Sequence, residues 1–373
     1  MFLKNKIYYT YEDITIIPSE LSSIDHRIEC SPYDENGMLP LFTAPMNTVV
    51  GIDNFELFEN EKIYPILPRT EDIALRIDFS KNGKWSAYSL NEFEETFCNI
   101  TNKMETPNKI YALIDVANGH MKKIIDLVKI SKSIYGDDIV IMAGNIANPR
   151  TYEYYADAGI DYVRCSVGTG SGCISSSNLG IHMPIASLID DIVTIKEGIK
   201  HRYSKLPKIV ADGGIRNYRD INKALALGAD YVMCGSIFSK MLESSALKTC
   251  SGNEYFKLPQ DVTLKDISNI HKEKDNWVGE YNGERVNLGK ITALFYGMAS
   301  REGQIALNGS KTKTSEGIAK TLSVEYSING WVENFKDYLR SAMSYVGVRN
   351  LEDFRNKSIV IINSQNAVNA VNK

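Results

Sequence analysis

KIYALIDVANGHMKKIIDLVKISKSIYGDDIVIMAGNIANPRTYEYYADAGIDYVRC, residues 109–165, is the stretch that decides the fold. It opens on a short apolar run, 109–115, which predicts a strand. Met121, Ile124, Ile125 and Val128 then recur at the i, i+3, i+4, i+7 spacing of one helix face, so 120–135 reads as a helix. Residues 139–143 (IVIMA) are the next strand, 150–158 the next helix and 161–165 (DYVRC) a third strand. Further on, 208–211 (KIVA) and 231–234 (YVMC) read as strands with a helix over 221–227 between them. Buried apolar strands alternating with amphipathic helices are the pattern of parallel β/α units. The number of units and the 373-residue length favour an α/β fold of the (β/α)8 barrel type over an open doubly wound sheet, which stays as the alternative. One catalytic domain over 1–373 is expected. In such a barrel the chemistry gathers where strands end and βα loops begin.

Outside the alternation, 246–292 is polar and reads as an irregular excursion from the barrel. Residues 301–318 are rich in Gly, Lys, Ser and Thr and are expected to form a mobile flap. Long loops inside compact domains are often lids or binding segments.

Composition narrows the function classes. The chain has 42 Lys and Arg against 46 Asp and Glu, a net charge of −4, so it lacks the basic footprint of a nucleic-acid binder. No run approaches 18 apolar residues, so no membrane span is expected. The N-terminus shows no secretory pattern, and a cytoplasmic protein is the expectation. The six cysteines (30, 98, 165, 173, 234 and 250) are scattered without a CxxC pair, which argues against structural zinc and against a disulfide framework.

Three glycine-bearing strand ends stand out. In VGTGSGC (167–173) three glycines and two hydroxyl residues precede Cys173. Such a loop folds tightly and can turn amides toward an anion and carbonyls toward a cation. ADGGI (211–215) follows KIVA, and Gly235-Ser236 follows YVMC. Two successive glycine-bearing loops late in a barrel are where phosphate is commonly held. Asp212 could accept hydrogen bonds from ribose hydroxyls, or it could cap a helix. Each loop alone is more often a tight turn, and a lone cysteine more often an inert buried thiol. A thiol has a pKa near ~8.5 that amide dipoles lower, and the resulting thiolate is a capable nucleophile.

Taken together these segments resemble the IMP dehydrogenase/GMP reductase family. The cysteine loop VGTGSGC with the hydroxyl of Ser175, TAPMNTV (43–49), MAGN (142–145), ADGGI (211–215), ADYVMCGS (229–236), GMAS (297–300) and SEG (315–317) fall in the family's order. The similarity runs from about Tyr11 to about Gly347. It implies a (β/α)8 barrel, usually a homotetramer, that acts on a purine nucleoside monophosphate. Asp115-Val116-Ala117-Asn118-Gly119 and LFYGM (294–298) resemble the reductase branch, and the short flap and the absence of an inserted regulatory CBS pair between 70 and 108 agree with it.

The resemblance also implies roles. Cys173 would attack C2 of the purine, and Ser175 and Glu316 would carry the proton for the leaving ammonia. Met46, Asn145 and Met298 would line the base, with Ala299, Ser300, Ser315 and Gly317 beside it. Asp212 would hold the ribose, and Ser171, Gly213, Gly214, Gly235 and Ser236 the phosphate. Asp115, Val116 and Ala117 would face the nicotinamide of NADPH (NAD in a dehydrogenase); Arg69, which stands where the chain departs from the family, could offer charge to a cofactor phosphate. Carbonyls of Gly168, Gly170 and Cys173 would hold potassium. The chain departs from the family's usual residues at Asn47 (aspartate), Ser175 (threonine), Ser176 (arginine), Gly180–Ile185 and Leu67-Pro68-Arg69 (His-Lys-His). A GMP reductase-type enzyme is the leading expectation. The alternatives are an IMP dehydrogenase, suggested by Pro45, and a nucleotide-binding protein without turnover.

Overall fold

A computed structural model describes residues 6–103, 107–168, 175–251, 264–309, 314–315 and 317–371. After β1 (Ile14–Ile17) come eight strands that all run parallel: β2 (Leu41–Thr43), β3 (Ile66–Leu67), β4 (Trp85–Tyr88), β5 (Ile110–Asp115), β6 (Ile139–Ile146), β7 (Tyr162–Cys165), β8 (Lys208–Asp212) and β9 (Tyr231–Cys234). They lie in the order β2-β9-β8-β7-β6-β5-β4-β3. Leu41 pairs with Val232 at one edge, and Phe42 bridges Tyr64, just ahead of β3, at the other. The sheet therefore closes on itself, and the architecture is a (β/α)8 barrel. The helices are α1 (Phe55–Asn60), α2 (Ile73–Lys81), α3 (Leu90–Phe97), α4 (Lys122–Tyr135), α5 (Thr151–Ala158), the short α6 (Ser175–Leu179) followed by α7 (Ile185–Ile199), α8 (Tyr218–Ala226) and the one-turn α9 (Ser236–Ser239). None of the described helices is long and apolar enough to cross a membrane.

The strands read from the sequence are found within one residue of their expected ends, except β6, which runs three residues past 143. The reason is visible in their burial: all but Asp115 and Tyr111 of β5 are buried, and all of β9 is. A strand covered on both faces must be apolar throughout, and that run survives without an alignment.

An aromatic layer fills one end of the barrel. The Phe42 ring lies 5.0 Å from Tyr64, 5.2 Å from Tyr231, 5.7 Å from Trp85 and 6.0 Å from Tyr162. Three of these four contacts are edge-on, the arrangement that ring quadrupoles favour. Asp34 Oδ2 accepts from the hydroxyls of Tyr64 (2.7 Å) and Tyr231 (2.9 Å) and so satisfies the polar tips. That end is closed, and any chemistry belongs to the opposite mouth, where the strands terminate.

The described residues of the expected irregular excursion, 246–251 and 264–292, are instead ordered. Residues after α9 form an antiparallel sheet of β10 (Lys248–Ser251), β11 (Ser268–Glu273), β12 (Asn276–Tyr281), β13 (Glu284–Tyr296) and β14 (Ala319–Ser323). Its order is β10-β13-β12-β11, with β14 also paired to β13. Composition misled because such a sheet buries one face only, so half of its residues are polar. The buried half is Ile267, Trp277, Val286, Leu288, Ile291, Ala293 and Val324, a core separate from that of the barrel. A usable signal was present: Asn282-Gly283 joins β12 to β13 with Tyr281 opposite Glu284, and both turn residues have positive φ (51° and 80°). Asn-Gly is the preferred two-residue hairpin turn.

The first part of the expected mobile flap is also ordered. It is α10 (Arg301–Asn308), whose first turn is capped by Ser300 Oγ accepting from Gly303 N at 3.0 Å. The barrel then resumes with α11 (Ile328–Val346) and α12 (Leu351–Lys357). β15 (Ile359–Ile362) pairs antiparallel with β1, and α13 (Gln365–Val371) follows it.

Candidate active site

A cleft of about 710 Å³ opens at the strand-end mouth. Its walls come from the ends of β2 to β9, and β13, its following loop and α10 overhang it. The roof of the barrel mouth is therefore the segment just after the excursion, from Phe295 at the end of β13 to Leu307 of α10.

The floor is built around Arg164 on β7. Its guanidinium donates to Asp115 Oδ1 at 2.5 Å and to Asp212 Oδ2 at 2.9 Å, and Asn145 Nδ2 donates to the same Asp212 oxygen at 2.7 Å. Four consecutive strands, β5 to β8, thus each contribute one polar side chain to a single network. Burial works against the charge of Arg164, but the two carboxylates outweigh it and hold its pKa above the ordinary value. The backbone leaves no slack here. A Cβ on Gly144 would lie 2.3 Å from the Arg164 carbonyl oxygen, so only glycine lets β6 pass β7 at this level.

One end of the cleft is lined by the turns Gly213-Gly214 and Gly235-Ser236. Gly213 and Gly214 have φ of 88° and 75°, the left-handed region that glycine enters freely. At the other end are Arg69, after β3, and Ser89-Leu90-Asn91, where α3 begins. Glu92 fixes that turn by bonding Ser89 N (2.7 Å) and receiving Arg76 (2.7 Å). Burial opposes its charge, yet Arg76 and the Ser89 amide prevail and lower its pKa to about 2. Arg69 Nε is buried without a hydrogen-bond partner among the described residues.

His120 pins two of these loops together. Its Nε2 accepts from the amides of Ala147 (3.0 Å) and Asn148 (3.1 Å), which places the ring proton on Nδ1, 2.9 Å from Asn118 Oδ1. Burial lowers its pKa, so the folded state favours the neutral ring. A depressed histidine pKa stabilises fully above the unfolded value of about 6.5, and the contribution is lost as pH falls through the folded pKa. The melting temperature of the His120→Ala variant is therefore expected to lie below that of the wild type at pH 7.5. The gap should close below pH 6. A gap that does not change with pH would contradict the neutral staple.

Comparison with known proteins fits this geometry. The sequence profile described as the IMP dehydrogenase / GMP reductase domain matches residues 108–371, which spans β5 to the last helix. The chain belongs to the IMP dehydrogenase/GMP reductase family. It is accordingly an oxidoreductase. The GMP reductase of Bacillus subtilis (strain 168) is 28% identical over 366 residues, covering 95% of this chain and 96% of the relative. That of Staphylococcus aureus (strain MRSA252) is 27% identical over 370 residues, with 95% and 96% covered. That of Caenorhabditis elegans is 23% identical over 340 residues, with 87% and 80% covered.

Of the residues singled out by the family resemblance, the structure brings Met46, Arg69, Asp115, Val116, Ala117, Asn145, Gly168, Asp212, Gly213, Gly214, Gly235, Ser236, Met298 and Ala299 to the one cleft. Ser300 is not on its wall; its side chain is fully buried as the cap of α10. Ser315 Oγ is turned back to the Gly317 carbonyl at 2.7 Å, and neither residue lines the cleft. Gly170, Ser171, Cys173 and Glu316 lie outside the described residues, as does the side chain of Ser175, the first residue of α6.

Sequence reasoning missed Arg164, the network's hub. Its signal was a charged residue at the third position of the otherwise apolar strand YVRC. It also missed Ser89–Asn91, which carry no motif, and Phe295, which falls inside LFYGM but was given no role there. Cys165 and Cys234 end β7 and β9 near the site, but both are fully buried and burial pushes their thiols up, so neither is a nucleophile.

Proposed function

We propose that this enzyme is a GMP reductase-type oxidoreductase, converting GMP to IMP and ammonia. What supports the reading most is the alignment of relatives named GMP reductase across 95% of the chain, together with a cleft that joins two glycine turns to Asp115-Val116-Ala117. In this reading Cys173 attacks C2 of guanine and forms a C–S bond. The C2–N bond then breaks, and ammonia leaves with a proton supplied through Ser175 and Glu316. Asp212, already oriented by Arg164 and Asn145, receives the ribose hydroxyls. The Gly213-Gly214 and Gly235-Ser236 turns, with Ser171, receive the phosphate.

NADPH, when bound, supplies the hydride that replaces sulfur at C2. Arg69 lines the cleft, its Nε 3.8 Å from Glu92 Oε2 and without a hydrogen-bond partner among the described residues, and its positive charge suits an anionic group of the cofactor. Asp115, Val116, Ala117 and Arg69 would hold the cofactor. The carbonyls of Gly168, Gly170 and Cys173 would hold potassium, a monovalent-cation role to be read as faster turnover in potassium than in sodium. The homotetramer and a cytoplasmic location belong to the same reading.

The test is absorbance at the reduced-nicotinamide band. NADPH consumption with GMP and stoichiometric ammonia release is the expected result. Formation of NADH from IMP and NAD would instead establish the dehydrogenase.

A further inference from the structure

Two methionines line the cleft from different parts of the fold: Met46, in the loop after β2, and Met298, in the roof. The chain beside each is joined to the other directly. Asn47 follows Met46, Tyr296 stands two residues before Met298, and Asn47 Nδ2 donates to the Tyr296 hydroxyl oxygen at 2.8 Å. Neither Asn47 nor Tyr296 lines the cleft, but Phe295 and Gly297, on either side of Tyr296, both do. Asn47 Oδ1 is buried and unbonded, so among the described residues the Tyr296 hydroxyl is the one partner of this side chain.

Both ends of this bond are held firmly. The loop after β2 is tied by Met46 N to the Ala44 carbonyl (2.8 Å), by Val49 N and Val50 N to the Met46 carbonyl (2.8 and 3.0 Å), and by Ser245 Oγ to the Asn47 carbonyl (3.0 Å). On the roof, Tyr296 is paired with Ala319 of β14. A Cβ on Gly303 would lie 2.7 Å from Met298 Cα, so α10 rests directly on the Met298 backbone. A displacement of Tyr296 is therefore passed on to Met298. The methionine side chains cannot set a spacing themselves, because an unbranched thioether adapts to whatever gap it is given. Their backbones must be fixed from outside.

We propose that Asn47 is a positioning residue: through Tyr296 it clamps the roof to the barrel wall and so sets the width of the slot in which Met46 and Met298 receive the purine base. Those two residues are assigned to the base in the GMP reductase reading, so the inference rests on that reading. The clamp acts on binding of the nucleotide and not on the chemical step, because it touches no reacting atom.

The experiment uses the full chain as wild type, Asn47→Leu, Tyr296→Phe, the double variant and Asn47→Asp. Amide hydrogen exchange over 294–308 in the free protein reads the clamp without any ligand, and steady-state kinetics read the slot. Each single variant is expected to speed exchange in 294–308 and to raise the KM for GMP about fivefold, the worth of one net hydrogen bond, with kcat and the KM for NADPH within about twofold of the wild type. The double variant should be no worse than either single one, since both remove the same bond. Asn47→Asp, whose carboxylate accepts from the Tyr296 hydroxyl, should restore slow exchange and most of the GMP KM. Unchanged exchange, additive losses in the double variant, or equal rises in the two KM values would overturn the proposal. If the wild type neither turns over nor binds GMP or IMP, the nucleotide reading itself falls, and exchange alone decides. Faster exchange in both single variants then supports the clamp between wall and roof, and unchanged exchange sinks it.

Discussion

Replacing Cys173 by alanine is expected to lower kcat by on the order of 10⁴ or more while GMP still binds. The size follows from the proposed chemistry. Without the sulfur nucleophile, hydride would have to reach an intact guanine ring and the amino group would leave unaided. The neighbouring thiols cannot substitute, since Cys165 and Cys234 are sealed in the barrel wall with their pKa values raised by burial. Two measurements separate the covalent route from a structural effect. Intact-mass analysis of a denaturant-quenched reaction should show an adduct on the wild type and none on Cys173→Ala. Calorimetry should return a GMP affinity within a few-fold of the wild type. Turnover above about one per cent in the variant would mean that the bond to sulfur is dispensable.

The barrel was legible because its strands are buried on both faces, so KIYALID, IVIMA, KIVA and YVMC stand out as apolar runs without reference to any relative. The sheet after α9 was not, because its strands bury only alternate residues. Burial along β13 alternates over much of its length, and composition averages that alternation to a polar segment. Asn282-Gly283 and the alternation beside it were the cue. The site divides in the same way. Glycine turns and Asp212 declare themselves at strand ends. Arg164 does not, because what makes it matter is the meeting of β5 and β8 residues across β7, a contact between positions 49 and 48 residues away that a linear reading does not reveal. Ser300 shows the converse. It falls inside a recognised segment, yet a helix start claims its hydroxyl.

Arg164→Met should be the most damaging substitution to stability in the site, at about 3–5 kcal/mol, the usual consequence of removing one partner from a buried ion pair. The Arg164 side chain is 11% exposed, Asp115 15% and Asp212 17%, so the carboxylates left behind have little access to water. Urea unfolding of the two proteins reads the loss directly. Arg164→Lys should recover only part of it, because an ammonium is a point charge and cannot send separate N–H donors to Asp115 and Asp212 as the guanidinium fork does. An uncharged triple variant that also replaces both aspartates by asparagine should be more stable than Arg164→Met alone, since it leaves no unpaired charge. If Arg164→Met unfolds within about 1 kcal/mol of the wild type, the network is not sustaining the floor and the carboxylates must find water or another cation. The functional consequence follows from where the two carboxylates point. Asp212 belongs to the proposed ribose wall and Asp115 to the proposed cofactor wall, and one guanidinium fixes both. Loss of Arg164 should therefore raise the KM values for GMP and NADPH together, whereas Asp212→Asn should weigh on GMP first. A selective loss for one ligand in Arg164→Met would show that the two walls are held independently.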